Sequence, residues 1–402
     1  MRNVDVLVVG AGPAGLAAAA RLAAAGAGSI EVLDREQQPG GVPRHCAHGG
    51  FGTWLHPLTG PAYARLLADA AVRTGAVVRT GVTALDWAGP LALTTVGPQG
   101  PETITARAIV LATGARERPR TARLVPGTRP VGIYTTGELQ QAVHLYGQRI
   151  GSRAVIVGAE DVSYAAADTV RAAGADVVAM ITELPYPQTT PPRAQHARLR
   201  RRIPLLTDAT ITELLGHGRL SGVRIRHRGG RTITLPCDTV VFTGDFVPDH
   251  ELARRGELTL DAGSRGPATD GTLRTSRPGV FAAGSLLHAV ESAATAAGEG
   301  AQMAGAVREW LAGAEWPAGI PLTVDPPLHW IAPNRITPAD RHPYVLRTTT
   351  LLTRPVLHIT QNGRVLHRQR LRTTVPNRPI RLTAHWNGRV DPEGGPVTVR
   401  VR

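Results

Sequence analysis

Lysine is absent: all 45 basic side chains among the 402 residues are arginine. A lysine Schiff base and a phosphate-loop lysine are therefore excluded as catalytic devices. Cysteine is nearly absent. Cys46 and Cys237 stand far apart, with no CxxC or CxxxxC pattern, so a paired-thiol redox centre and a cysteine-ligated iron–sulphur cluster are unsupported within this chain. No apolar run reaches the roughly 20 residues that a membrane span needs. The N-terminus lacks a basic stretch followed by a signal-like apolar segment, and a cytoplasmic location is the expectation.

Positive charge is abundant. The net charge is +14, and residues 318–402 carry thirteen arginines against four acidic residues. Such a surface suits nucleic acid, an anionic membrane or an acidic protein. No nucleic-acid motif accompanies it, which leaves an acidic protein partner or simple solubility. The length suffices for two or three domains with a large core.

The chain is organised around its first fifteen residues. Residues 5–10 (DVLVVG) form a short apolar strand that runs into Gly10-Ala11-Gly12-Pro13-Ala14-Gly15 and then into an Ala/Leu-rich helix. Strand, glycine turn and helix follow in the order of a dinucleotide-binding fingerprint. Gly10 permits the tight turn, Gly12 the approach of a pyrophosphate and Gly15 close packing of helix on strand, with the helix N-terminus facing the phosphate charge. A second strand over 29–33 ends at Asp34, 19 residues after Gly15, near the spacing expected of a carboxylate that binds a ribose hydroxyl. The alternative is an ordinary α/β turn without a ligand.

Residues 37–52 are too rich in Gly, Pro and His for a regular element. This loop carries Arg44, His45, Cys46 and His48. Histidine can transfer protons, arginine can hold a carboxylate and cysteine can act as a redox thiol; equally, the polar residues can cap loop amides while glycines fit the backbone to a cofactor. An amphipathic helix over 60–75 follows, then strands over 76–80, 82–87 and 103–111. The last runs into Ala112-Thr113-Gly114-Ala115, a small-residue turn suited to close cofactor approach. Arg116 and Arg118 are either surface charges or neutralise a phosphate or substrate.

After a connector over 120–150, residues 154–182 repeat strand, turn and helix with only Gly158 of the glycine pattern. Glu160 and Ser163 hold the other positions, and a carboxylate at 160 opposes a pyrophosphate. A basic run over 193–202 fits a solvated helix face. A strand meander over 211–235, a buried strand over 237–244, the segment Gly279–Ser285 (GVFAAGS) and a small-residue helix complete this part. From Pro317 the helical pattern disappears. Strands over 344–352, 356–361, 364–372, 380–386 and 397–402, with Asn362-Gly363 as a hairpin turn, suggest a small β-domain. Its role is packing, dimer contact or docking of a partner through its arginines.

These motifs resemble the flavoproteins with two dinucleotide domains, the glutathione-reductase/thioredoxin-reductase-like superfamily, over roughly residues 1–312. The implied fold class is α/β: two Rossmann-like FAD/NAD(P)-binding domains, the FAD domain discontinuous (1–119 and 237–315), a degenerate second domain (120–236), and a C-terminal basic β-domain (318–402). The implied cofactor is FAD, held by Gly10, Gly12, Pro13, Ala14, Gly15, Asp34, Arg35, Gly41, Val82, Ala112, Thr113, Gly114, Gly284 and Ser285. Ser285 replaces the aspartate usual at that position. No metal is expected.

GGVPRHCAHGGFG, LTGPAYA, VGAEDVS and FAAGSLLH look similar to FAD-bearing A subunits of opine, hydroxyproline and hydrogen-cyanide-producing dehydrogenases. That resemblance implies a dehydrogenase subunit taking electrons from a small amine, imino acid or hydroxy acid, or from a partner flavoprotein, and passing them to a protein or quinone acceptor. Possible partners are a second flavoprotein subunit and a ferredoxin-like subunit. Arg44, His45, Cys46, His48 and His288 are the ring-proximal candidates, and a helix beginning near Val290 is expected to point its positive end at the flavin. A self-sufficient NAD(P)H-dependent flavin reductase or oxidase, and a non-catalytic FAD-containing scaffold subunit, are the alternatives.

Overall fold

The computed structural model describes residues 2–53, 55–289, 291–337 and 340–402. The chain divides into two compact units. One comprises Met1–Arg44, Phe51–Ala115 and Pro248–Arg402; the other comprises His45–Gly50 and Arg116–Val247.

The first unit is built on a seven-stranded sheet. Its strand order is Val77–Thr80, Ile30–Asp34, Arg2–Val9, Gly100–Leu111, Ala92–Gly97 and Thr83–Gly89, with Val280–Ala282 paired to the C-terminal half of Gly100–Leu111. The strands of the nucleotide-binding half run parallel. Their central residues are mostly apolar, as suits strands covered on both faces. Val6, Leu7 and Val8 are fully buried, as are Ile109, Val110 and Leu111. Helix Pro13–Ala24 packs its alanines against helix Ala293–Gln302, since small side chains let the two backbones approach. Val290, expected near a helix start, lies outside the described residues. The helix itself begins at Ala293, where the Ser292 hydroxyl accepts the Thr295 N–H at 3.1 Å as its N-cap.

Residues 320–401 belong to this unit and form a five-stranded sheet facing a three-stranded one. Their shared core holds Leu357, Ile359, Val397, Val399, Tyr344 and Trp386. Expected strands 356–361 and 364–372 appear as Val356–Gln361 and Arg364–Arg370, joined by Asn362 and Gly363 at φ 47° and 77°, the left-handed pair of a tight hairpin. Strand 380–386 shortens to Ile380–Leu382 because the chain turns into a helical turn at Asn387–Arg389. Strands Ile320–Val324 and Leu328–Ala332 were hidden by the prolines around them.

The second unit carries a parallel five-stranded sheet in the order Ile133–Thr135, Thr239–Phe242, Arg153–Val157, Asp176–Ile181 and Leu205–Leu206. Helix Asp161–Ala172 follows the central strand. The meander is a three-stranded antiparallel sheet, Ala209–Leu215, Gly222–His227 and Thr232–Leu235. Among the described residues no helix is long and apolar enough to cross a membrane.

The Trp386 ring is fully buried and stacks on Tyr344 at 5.6 Å. Trp386→Ala should lower unfolding free energy by about 3–5 kcal/mol, measured by chemical denaturation. A loss below about 1 kcal/mol would show that this core collapses around the gap.

Candidate functional site: a dinucleotide cradle

The end of strand Arg2–Val9 is the base of the site. Gly10 turns the chain at φ +108°, and a Cβ there would lie 2.3 Å from the Ala112 carbonyl oxygen. A Cβ on Gly15 would lie 1.9 Å from the Gly10 carbonyl oxygen and 3.1 Å from the Val8 side chain. Both glycines are demanded by packing. Gly12 differs: a Cβ there would meet nothing within 4 Å. Pro13 starts the helix, and no side chain caps its first amides. The turn therefore presents a helix N-terminus with unclaimed N–H groups over open space, the arrangement that receives a pyrophosphate.

The surrounding residues complete the cradle. Asp34 accepts the Ala11 N–H at 2.7 Å and the Glu36 N–H at 2.8 Å. Burial pushes its carboxyl up, and the two amide hydrogen bonds pull it back down. Gly41, at φ +61°, passes so near the turn that a Cβ would reach the Gly12 Cα at 2.8 Å. Val82 is buried, its N–H bonded to the Asp34 carbonyl at 2.9 Å. Ala112 donates to the Val9 carbonyl at 2.8 Å. The Thr113 hydroxyl donates to the Asp249 carbonyl at 2.7 Å, and Gly114 turns at φ +79° beside open space. Arg35 pairs with the Asp249 carboxylate at 3.3 Å on the exposed rim. A Cβ on Gly284 would meet the Ala14 methyl at 2.7 Å, and one on Gly300 the Ala14 carbonyl at 1.9 Å, so positions 284 and 300 need glycine. Ser285 is half-buried in the turn after Gly284. The open space at Gly12, the uncapped amides and the carboxylate at the strand end fit a dinucleotide such as FAD.

The proposed reactive residues fall into different surroundings. Arg44 donates to the Gln38 carbonyl at 2.5 Å and lies 3.7 Å from Glu36, so it braces its own loop. His45 and Cys46 are buried in the second unit. The Cys46 thiol donates to Gln140 Oε1 at 3.3 Å, and burial pushes it up to about 12; at neutral pH it is a protonated donor, not a nucleophilic thiolate. Cys237 is likewise pushed to about 12 by burial. His48 contacts the Gly49 carbonyl through Nδ1 at 2.7 Å. His288 belongs to the first unit. Its Nε2 lies 2.8 Å from Glu299 Oε1 and its ring stacks on Trp330 at 5.6 Å. Burial disfavours its charged form, but Glu299 raises its pKa overall. Glu299 also accepts the Gly284 N–H at 2.8 Å, tying His288 to the cofactor-side turn.

Sequence reasoning passed over Glu117, Gln140 and Glu299. Glu117 sits between the two arginines that did attract attention. Its Oε2 accepts the Gly137 N–H at 2.9 Å and its Oε1 is sealed from solvent. Burial pushes the carboxyl up to about 7, against the Gly137 hydrogen bond and Arg123. Each of these contacts spans at least 11 residues, except Glu117 to Arg123, and no local pattern announces them.

The second unit's turn holds a different arrangement. Glu160 is buried and its Oε2 accepts the Ala159 N–H at 2.8 Å. A Cβ on Gly158 would lie 2.8 Å from that oxygen, and one on Gly244 1.8 Å from Glu160 Oε1. The Glu160 carboxylate thus holds the amide that corresponds to Ala11, which Asp34 holds in the first unit, and a side chain stands where the first unit has Gly12. Burial pushes its pKa up, and amide hydrogen bonds, including that from Ala159, oppose the shift.

Residues 4–300 match the pyridine nucleotide-disulphide oxidoreductase family. The chain is 31% identical over 318 residues to the thioredoxin reductase of Mycolicibacterium smegmatis, covering 77% of this chain and 96% of that protein. It is 32% identical over 302 residues to the ferredoxin–NADP reductase of Salinispora tropica, covering 71% and 87%. With an opine oxidase subunit of Rhizobium meliloti it shares 29% over 323 residues, covering 70% of this chain and 58% of that one. Its fold superposes on the crystal structure of the T. acidophilum thioredoxin reductase with a TM-score of 0.65 at 25% identity, covering 77% and 99%.

Two outcomes test the site. Gly12→Ala, at φ −81° and with no contact to break, should keep the melting temperature while flavin content after purification falls about tenfold, a loss of about 1.4 kcal/mol in binding; full flavin occupancy would show that nothing passes close to residue 12. The folded Glu117 carboxyl holds its proton up to about 7 against 4.5 for a free glutamate, so the fold loses stability as pH rises through that window. Glu117→Gln should therefore raise the melting temperature at about pH 8.5 and leave it unchanged at about pH 4; no gain at the higher pH would show that the carboxylate is solvated.

Proposed function

We propose that this chain, which belongs to the pyridine nucleotide-disulphide oxidoreductase family, is an FAD-dependent dehydrogenase subunit whose electrons do not come from a nicotinamide bound in its second unit. The donor is a small amine, imino acid or hydroxy acid, or a partner flavoprotein, and the acceptor is a protein or quinone. FAD, when bound, supplies the two-electron redox chemistry. The chain's own residues bind and orient it: the Gly10–Gly15 turn takes the pyrophosphate, Asp34 the ribose side, and the Thr113–Gly114 and Gly284–Ser285 turns the remainder.

The observation that carries this reading is Glu160. A carboxylate about 4 Å from a phosphate costs roughly 4 kcal/mol at an effective dielectric of 20, about a thousandfold in affinity. Protonation of Glu160 relieves the repulsion but leaves a side chain at the position that Gly12 keeps clear in the first unit. Thiol–disulphide exchange through this chain's own cysteines is disfavoured too, because both are buried thiols pushed to about 12. The likeness to an opine oxidase subunit supports the dehydrogenase-subunit reading.

A second reading, a self-sufficient NAD(P)H-dependent flavin reductase, is favoured by the high coverage of relatives named thioredoxin reductase and ferredoxin–NADP reductase. Anaerobic stopped-flow separates the two. On the leading reading, NADH and NADPH leave the flavin of the holo-protein oxidised over several seconds. Bleaching within milliseconds by either nucleotide alone would establish the second reading instead.

A further inference from the structure

The C-terminal five-stranded sheet has a face that the cofactor chemistry does not use. Strand Val356–Gln361 lies between Arg364–Arg370 on one side and Val397–Val401 on the other, antiparallel to both. The register puts Arg368, His358 and Arg400 directly opposite one another across the three strands. Two residues along, Arg370 opposes Val356, which exchanges backbone hydrogen bonds with Arg402 at 3.0 and 3.3 Å. Leu357 and Ile359, fully buried, point to the core; by strand alternation Val356 and His358, with the four arginines, share the outer face. Strand spacing and rise set the arginines at the corners of a rectangle of roughly 7 by 10 Å.

Arg368, Arg370 and Arg402 are exposed, and the Arg400 side chain is 42% exposed. Asp325, 3.6 Å from Arg400, is the carboxylate paired with these four among the described residues; Asp391 and Glu393 lie toward the Gln361 end of the sheet. The crowding of charge is felt by His358: burial and then Arg368, Arg402 and Arg400 all push its pKa down, keeping it neutral between the arginines.

Like charges gathered on one sheet face destabilise it, and separations near the Debye length of about 8 Å are only partly screened. Protection of a sheet edge explains arginines on Arg364–Arg370, which is the edge strand. Arg400 and Arg402 lie at the end of a strand that is interior to the sheet over residues 397–399, and extend past that pairing beside Val356–Gln361. The three strands carry no Phe, Tyr or Trp, and His358, the ring set among these arginines, is buried, so the exposed stacking platform on which single-stranded nucleic-acid binders rely is missing.

We propose that this arginine rectangle docks the acidic surface of a protein electron partner, a role that rests on the dehydrogenase-subunit reading above. Carboxylates of the partner meet guanidinium groups whose backbone positions the sheet fixes, and only the side chains themselves order on contact. Charge complementarity of this kind chiefly speeds and orients encounter.

The test uses full-length holo-protein with an acidic [2Fe–2S] ferredoxin as probe, read by titration calorimetry in low and high salt. Wild type should bind, with affinity falling steeply as salt rises. R368E/R400E should weaken binding at least about tenfold while flavin content and melting temperature hold; should that variant fail to fold, R368Q/R400Q decides, with a loss of about threefold. No binding by wild type, or unchanged affinity in the folded variants, overturns the proposal. So does tighter binding of poly(U) or of phosphatidylglycerol vesicles than of ferredoxin, lost in the same variants, because the partner is then not a protein. Binding is read without electron flow. Ferredoxin that binds but is never reduced therefore counts against the dehydrogenase reading and leaves the docking face standing.

Discussion

Three backbone contacts leave no room for a side chain, and the first unit depends on them. Residue 10 meets the Ala112 carbonyl, residue 15 the Gly10 carbonyl and residue 300 the Ala14 carbonyl, each with an imagined Cβ at 2.3 Å or less. The obstacle is backbone in every case, which cannot swing aside as a flexible side chain can, and a close-packed interior has no slack to absorb the shift. Strand end, helix start, return strand and late helix are thereby drawn together around one point. Gly12 is exempt from this crowding. A single motif thus contains glycines that serve the fold and one, Gly12, that no contact within the chain demands.

The second unit repeats the architecture and reverses the outcome. Each unit places a carboxylate near its first turn. Asp34, at the end of the neighbouring strand, accepts an amide from the far side of the turn and leaves the helix N-terminus open. Glu160, inside the turn, accepts the Ala159 amide while standing at the N-cap position itself, its side chain bonding none of the first helical amides. In both units a carboxylate holds the amide just before the helix, and no side chain caps the helix itself. A change of position by a few residues alters which carboxylate holds the turn, while the surrounding parallel sheet is unaffected.

The C-terminal sheets are joined to the cofactor-side unit by buried polar contacts rather than by an extension of its sheet. Asn334 accepts the Thr269 amide at 2.9 Å, Asp340 the Gly271 amide at 3.1 Å, and the Arg347 guanidinium pairs with Glu291 where both side chains are at most 5% exposed. Removing one partner of such a pair leaves an uncompensated buried charge, so these contacts fix where the β-region sits. Glu299 links the same region to the cofactor turn, holding the Gly284 amide and His288, on which Trp330 stacks.

Local pattern sufficed for much of this. Period, turn chemistry and spacing identified the parallel nucleotide-binding half, the Gly10–Gly15 turn with Asp34, the hairpin at Asn362-Gly363 and the damaged glycine code at Glu160, because each is a relation between residues close in the chain. The tertiary structure alone decided the rest. Burial made Cys46 an inert thiol and Glu117 a carboxyl that titrates near 7. Contacts with Glu299 and Trp330 defined the setting of His288, and register across three strands gathered Arg368, Arg370, Arg400 and Arg402 onto one face. Desolvation and cross-strand register depend on what lies opposite in space, and a linear chain carries no local mark of its distant neighbours.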